Sequence, residues 1–186
     1  MRYLPALLLL LATAASAPSY RYQLDGANSQ VSARVSYFGI GQKIARFPVR
    51  HGAIRLSPDR LDSIDLDVEL DAQAMTAGSR TDTEYLKGKA FFDVAHYPAV
   101  TFSGHRMTMT GATNAQIDGQ ITARGITRPA TLTVAFRDPP ARATGREPIQ
   151  ITATTQINRR DFGMTSYGWI VGKTVTITIQ ARMVPE

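Results

Sequence analysis

The sequence predicts an all-β domain with one short helix, its antiparallel strands either closed into a barrel or stacked as a sandwich. Three observations carry this. Between Leu61 and Asp71 the chain alternates Ile64, Leu66, Val68, Leu70 with Asp65, Asp67, Glu69, Asp71, a period of two that only a half-buried strand produces. The same alternation recurs along most of the chain. The one clear helical signal is confined to the residues just after Ser79.

Further alternating sets are Val31-Ala33-Val35-Tyr37, Ile117-Gly119-Ile121-Ala123, Ala130-Leu132-Val134-Phe136, Ile149-Ile151-Ala153 and Val175-Ile177-Ile179-Ala181-Met183. With Tyr20–Leu24, Ile54–Leu56 and a strand through Val100, Phe102 and Gly104, they make roughly eight to ten strands, antiparallel by their spacing. Pro98 cannot donate to a ladder, which places it at the start of the Val100 strand. The helix has Ser79 as its N-cap, Asp82 three residues on to reach free amides, Tyr85 and Leu86 to share a buried face, and Gly88 to stop it. Pro139-Pro140 to Gly145, with Arg142 and Arg146, reads as a loop between strands.

Each strand has a single apolar face, so the sheet must close or pair with a second sheet. The inward set includes many small residues: Ala33, Gly104, Gly119, Ala123, Ala153 and Ala181. Small inward residues leave volume, which favours a barrel of about eight strands with an internal cavity, unless larger side chains from other walls fill the gaps.

Residues 1–19 have an early positive charge at Arg2, an apolar run Leu7–Leu11 and small residues ending Ala15-Ser16-Ala17, the pattern of an export signal peptide. The apolar run is too short to span a bilayer, which takes about 20 residues. Residues 20–186 then form one domain. The chain contains no cysteine, which excludes disulfides, thiolate metal sites and cysteine nucleophiles. Its formal net charge is +6, and the leader contributes one of the positive charges. That balance suits solubility and also transient contact with an anionic membrane surface.

The stretch Thr81–Phe102 is the most distinctive. Its order Asp82, Leu86, Phe91-Phe92-Asp93, Tyr97-Pro98, Phe102 resembles the signature of the YceI-like family. Two later stretches are similar to other blocks of that family: Gly119–Leu132, and Asn158-Arg159-Arg160-Asp161-Phe162-Gly163-Met164. The resemblance implies a periplasmic protein with an antiparallel lipocalin-like β-barrel of about eight strands that binds a polyisoprenoid lipid, a polyprenyl quinone or polyprenyl phosphate, for carriage, storage or sensing. The chain departs from the family in having Tyr37-Phe38-Gly39 where many relatives carry a histidine, and Ala45 where a glycine precedes the arginine-phenylalanine pair. Both changes fall at the polar end of the expected pocket.

A hydrocarbon ligand needs aliphatic and aromatic walls. The candidate ligand-binding residues are Tyr37, Phe91, Phe92, Phe102, Phe136, Phe162, Met164 and Trp169, with Arg160 as a fork for a quinone oxygen or phosphate. Each has an alternative role, core packing for the apolar residues and an ion pair for Arg160. One of the adjacent Phe91 and Phe92 is expected to act as a plug.

The sequence offers no catalytic residues, metal ligands or cofactor motif. His51, His96 and His105 lack zinc-motif spacing, and there is no nucleophile elbow or phosphate loop. A hydrolase or metal site would require His51 and His105 to converge with an aspartate in the fold. The acidic stripe on Asp65, Asp67, Glu69 and Asp71 reads as a solvated strand face. Scattered basic residues and export argue against a nucleic-acid partner. A packed barrel that binds another protein is the remaining alternative, and the oligomeric state is open.

Overall fold

The computed structural model describes residues 18–186. All of the expected leader except Pro18 and Ser19 therefore lies outside the described residues. The strands are β1 (Tyr20–Leu24), β2 (Gln30–Tyr37), β3 (Gly41–Phe47), β4 (Val49–Leu56), β5 (Ser63–Asp71), β6 (Thr76–Ala77), β7 (Ala99–Met109), β8 (Asn114–Ala123), β9 (Ile126–Phe136), β10 (Ile149–Asn158) and β11 (Val171–Pro185). The single α-helix among the described residues is α1 (Arg80–Lys87).

These segments form a closed antiparallel barrel of eight walls. β1 and β2 are two halves of one wall, interrupted by a single 3-10 turn at Gly26–Asn28, and β3 and β4 are halves of another, bent at Pro48. β5, β7, β8, β9, β10 and β11 follow in order around the barrel, and β11 closes it on the first wall. Closure leaves no free edge among the eight walls, the arrangement that the one-sided strands require. Of the two architectures open from the residues alone, the barrel is the one adopted.

Because neighbours alternate in direction, connections fall at two ends. The lower end carries the start of β1 at Tyr20, the 57–62, 110–113 and 137–148 loops, and the end of β11. The upper end carries the 38–40 turn, the long 72–98 excursion, the 124–125 turn and the 159–170 connection. The excursion patches the wall. Pairing of β4 with β5 stops at Val49↔Leu70, so the upper half of the first hairpin has no β5 beside it, and β6 pairs with β3 there instead (Ala45↔Ala77).

The helix forms as its caps dictate. Ser79 Oγ accepts from the Asp82 amide at 3.0 Å, and the Gly88 amide closes the last turn onto Glu84 and Tyr85. Two expectations need correction. The Asp82 carboxylate does not turn back to the free amides but reaches Lys43 of β3, at 2.8 and 3.0 Å. No residue of α1 is fully buried: Leu86 is half-buried and Tyr85 is exposed, because the helix lies over the barrel end and not inside it.

The lower half is solid. Tyr22, Leu56, Met107, Ile117, Val134 and Met183 are fully buried and belong to the largest apolar cluster, with Ala143 of the 137–148 loop packed against it from below. This refines the expectation from small residues. At Gly104 and Gly119 the space is taken by the Phe102 ring: a Cβ on Gly119 would sit 2.6 Å from Phe102 Cζ and 2.2 Å from the Ser103 carbonyl oxygen. Ala153 and Ala181 are buried in packed wall, whereas Ala33 and Ala123 face open space. Small residues create volume only where no neighbouring ring reaches them.

Gly119→Ala should therefore destabilise the protein by about 1–3 kcal/mol through overpacking, whereas Gly111→Ala, with nothing closer than 3.6 Å to its new Cβ, should change stability by less than about 0.5 kcal/mol. Urea unfolding midpoints at constant m-value test both.

Candidate ligand cavity

The upper half encloses a cavity of about 460 Å³, within the range of small-molecule sites. Its construction follows from strand parity. On β2 the inward residues are Val31, Ala33, Val35 and Tyr37; on β3, Lys43, Ala45 and Phe47; on β11, Val171, Val175 and Ile177. Leu70, Val100, Ile121, Ala123 and Ile157 complete the walls, and Leu86, Phe91, Phe92 and Tyr85 from the excursion form the cover. The lining is overwhelmingly apolar.

Phe91 and Phe92 are adjacent and both face the cavity. This is possible because they lie in a turn where Asp93 takes a left-handed φ of 48°. Phe91 is buried, stacked on Tyr167 at 5.9 Å, and Phe92 meets Phe47 edge-on at 5.4 Å. Together they tie the excursion to β3 and to the 159–170 connection.

Of the residues expected from sequence, Tyr37, Phe91, Phe92 and Met164 line the cavity. The other five do not. Phe102 packs between the two largest apolar clusters, below the open space. Phe136 is in the lower core, and Phe162 is fully buried beneath the wall with Ile121 and Ala123. Arg160 points outward near Gly168, and Trp169 is exposed on the rim.

The arginine that faces the cavity is Arg159. Asn158 caps a 3-10 turn over Arg159–Phe162, and three residues per turn place Arg159 and Phe162 on the inner side with Arg160 and Asp161 outside. The parity of β10 carries the signal: inward Ile149, Ile151, Ala153, Thr155 and Ile157 continue to Arg159. Its side chain is only 2 % exposed. Nε donates to the Gly172 carbonyl at 2.9 Å, one Nη to Val171 at 2.9 Å and the other to Met164, while the guanidinium lies 5.9 Å from the Phe91 ring centre. No carboxylate pairs with it among the described residues. Burial, and secondarily the charge of Arg160, push its pKa down, but a guanidinium stays protonated in proteins. The cavity therefore holds a buried cation satisfied by backbone carbonyls alone.

The second charged feature is the Lys43–Asp82 pair, with Lys43 also 4.9 Å from the Tyr37 ring centre. The hydrogen bond to Lys43 is the main cause that lowers the Asp82 pKa, and the same bond raises that of Lys43. Elsewhere, the acidic stripe of β5 lies on the outer face, where Arg50 bridges Glu69 at 3.3 Å and Asp71 at 3.0 Å. His105 pairs with Asp65 at 3.4 Å and His96 with Asp93 at 3.1 Å, and neither joins a third His, Asp or Glu into a metal-sized group among the described residues.

Fold and cavity define the class: a closed up-and-down barrel with one half packed and the other hollow and apolar, the architecture of a binding protein for a small hydrophobic molecule. Comparison with known proteins sharpens this. Residues 22–183 match the model of the YceI-like domain, and the chain belongs to that family. A UPF0312 protein of Pseudomonas putida (strain GB-1) is 25% identical over 160 residues, covering 86% of this chain and 83% of the relative. A Vibrio cholerae UPF0312 protein is 21% identical over 155 residues, covering 83% of this chain and 82% of the relative. Among solved structures, BcnA of Burkholderia cenocepacia superposes with a TM-score of 0.69 at 20% identity, covering 86% of this chain and 98% of BcnA. A polyisoprenoid binding domain from Saccharophagus degradans gives 0.66 at 12% identity, covering 89% of this chain and 98% of that domain. At these identities the structural likeness speaks to the fold.

The ion pair makes the cover sensitive to pH. The Asp82 contribution is whole above its unfolded value near 3.8 and is lost as pH falls through the lowered folded value; that of Lys43 is whole below 10.5 and is lost as pH rises through the raised folded value. Asp82→Asn should thus raise amide exchange in residues 78–92 at neutral pH while changing global stability by less than about 1 kcal/mol, as expected for a half-exposed pair. Hydrogen exchange read by mass spectrometry, beside urea unfolding, separates the two effects.

Proposed function

We propose that this protein is a lipid carrier or store that sequesters one polyisoprenoid chain, of the polyprenyl quinone or polyprenyl phosphate type, in its upper cavity and performs no chemistry on it. The single observation that supports this best is a cavity whose walls are overwhelmingly apolar and whose buried charge is Arg159. Burying a hydrocarbon stabilises it by about 0.8 kcal/mol per CH₂, so roughly 3–4 kcal/mol for each five-carbon unit before the costs of ordering the chain. Tail binding then needs no hydrogen bond, and selectivity rests on shape. The S. degradans domain of the same fold is described as polyisoprenoid binding, which is the reason for proposing this class of tail.

Arg159 replaces Arg160 as the candidate polar contact. A guanidinium has five N–H donors, and three of its nitrogens already meet carbonyls. Its uncompensated charge favours a quinone oxygen or a phosphate over a bare hydrocarbon end. The leader-like residues 1–19 support a periplasmic site of action, where such a ligand would have to cross water between membranes.

Native mass spectrometry of the protein purified from its own host, followed by organic extraction, tests the reading. A one-to-one adduct with an isoprenoid tail is the expected result. A bare protein that also refuses added polyprenyl quinone and polyprenyl phosphate would move the assignment to a protein-binding barrel. Ala33→Trp, which projects a large ring into the hollow half and leaves the packed half untouched, should abolish the adduct while the free energy of unfolding stays within about 1 kcal/mol of wild type. Phe92→Asp should weaken retention at least about tenfold with a smaller effect on folding.

A further inference from the structure

The apolar surface of this molecule is distributed unevenly. The large hydrophobic side chains left exposed among the described residues are Phe38, Ile40, Tyr85, Tyr97, Tyr167 and Trp169. All six lie on upper-end connections, around the cavity, and the lower end carries none of them. Ile40 is 97 % and Trp169 82 % exposed, values that exclude a packing role. Scattered single hydrophobics on a surface need no explanation, whereas a cluster on one end does.

The cluster is built. The Phe38 amide donates to the Ile170 carbonyl at 2.8 Å, which joins the 38–40 turn to the 167–170 segment, and the Phe38 and Trp169 rings meet edge-on at 6.3 Å. Phe38 and Tyr167 hold left-handed φ values of 53° and 55°, which bulky residues adopt rarely and at a cost. Both strained positions hold aromatics on the rim.

We infer that this rim is a membrane-docking surface, on which Phe38, Ile40 and Trp169 enter the interface of a bilayer containing anionic lipids and present the open end of the cavity to it. Aromatic and branched aliphatic side chains are the types that partition at that depth. The charge fits: Arg80, Lys89, Arg160 and Lys173 are exposed on the same end, against the exposed carboxylates Glu84 and Asp161, so anionic headgroups are favoured. The rim is also continuous with the cavity, since Tyr37 and Ile170 line the hollow directly beside Phe38 and Trp169. This continuity matters because the inference rests on the lipid-carrier reading: a polyisoprenoid has negligible solubility in water, and a docked rim lets it pass between bilayer and barrel without crossing the aqueous phase. A second copy of the chain would be expected to meet a face of balanced charge, which this end lacks.

The chain contains a single tryptophan, Trp169, so its fluorescence reports on the rim alone. Full-length mature protein is titrated with vesicles of phosphatidylcholine containing about one third phosphatidylglycerol, and with phosphatidylcholine alone. The expected result is a blue shift of Trp169 emission, quenched by brominated acyl chains, stronger on the anionic vesicles and reduced by salt. Ile40→Asp should weaken partitioning at least about tenfold, with unchanged unfolding and unchanged retention of polyprenyl lipid loaded from detergent. Emission that ignores both vesicle types, or partitioning unaffected by Ile40→Asp, would overturn the inference. So would self-association by sedimentation that Ile40→Asp abolishes in the absence of vesicle binding. Loading from detergent distinguishes the two readings: a protein that docks but holds no lipid defeats the carrier, and one that holds lipid but does not dock defeats the rim.

Discussion

The structure depends on one strand. β11 runs for fifteen residues, paired with β10 on one side through ten consecutive partners from Thr174 to Met183, and on the other with β2 at Val171 and from Val175 to Gln180 and with β1 from Met183 to Pro185. The first wall can therefore be interrupted by the turn at Gly26–Asn28 without opening the barrel, because both halves are held to the same continuous neighbour. A cysteine-free chain has no covalent staple to repair a broken seam, so hydrogen bonding around the ring supplies what a disulfide would otherwise contribute. The Asp25 carboxylate, which caps that turn, also accepts from Arg182 of β11 at 2.6 Å and fastens the interruption to the seam.

Division of labour between the halves follows. The lower half holds the largest buried apolar cluster and carries the fold, which frees the upper half to remain hollow. In the hollow half, the wall is completed by an excursion held through the short β6–β3 ladder, aromatic contacts and one half-exposed ion pair, the last of these individually weak. Arg159 stands apart from this economy. Its buried charge is met by carbonyls of Met164, Val171 and Gly172, so it secures the connection into β11 and at the same time leaves positive potential in an apolar space.

Much of the fold was legible because a one-sided strand cannot hide its period. The inward sets on β2, β5, β8, β9, β10 and β11 were readable by alternation, and the helix by Ser79 and Gly88. β3 escaped notice since its inward position 43 is a lysine, which breaks the apolar pattern until the partner Asp82 is seen 39 residues away. Arg159 is masked by its neighbour for a related reason: adjacent arginines are equivalent in sequence, and only extending the parity of β10 into the following turn separates them. Phe102, Phe136 and Phe162 cannot be told from cavity residues by type, because aromatic character suits a wall and a floor alike. Which residues face a void depends on depth along the barrel axis, and alternation reports only inside against outside.

The depth of the hollow is set by a small number of atoms. Phe102 lies across Gly104 and Gly119, which lack the side chains that would exclude it, and its ring forms the boundary between the packed and open halves. On the proposed carrier reading, the distance from the rim to this one phenyl ring would limit how much of an extended hydrocarbon the hollow can house, while the walls would limit its girth. Length and girth would then be governed by different residues, and a smaller side chain at position 102 would deepen the hollow without rebuilding a strand.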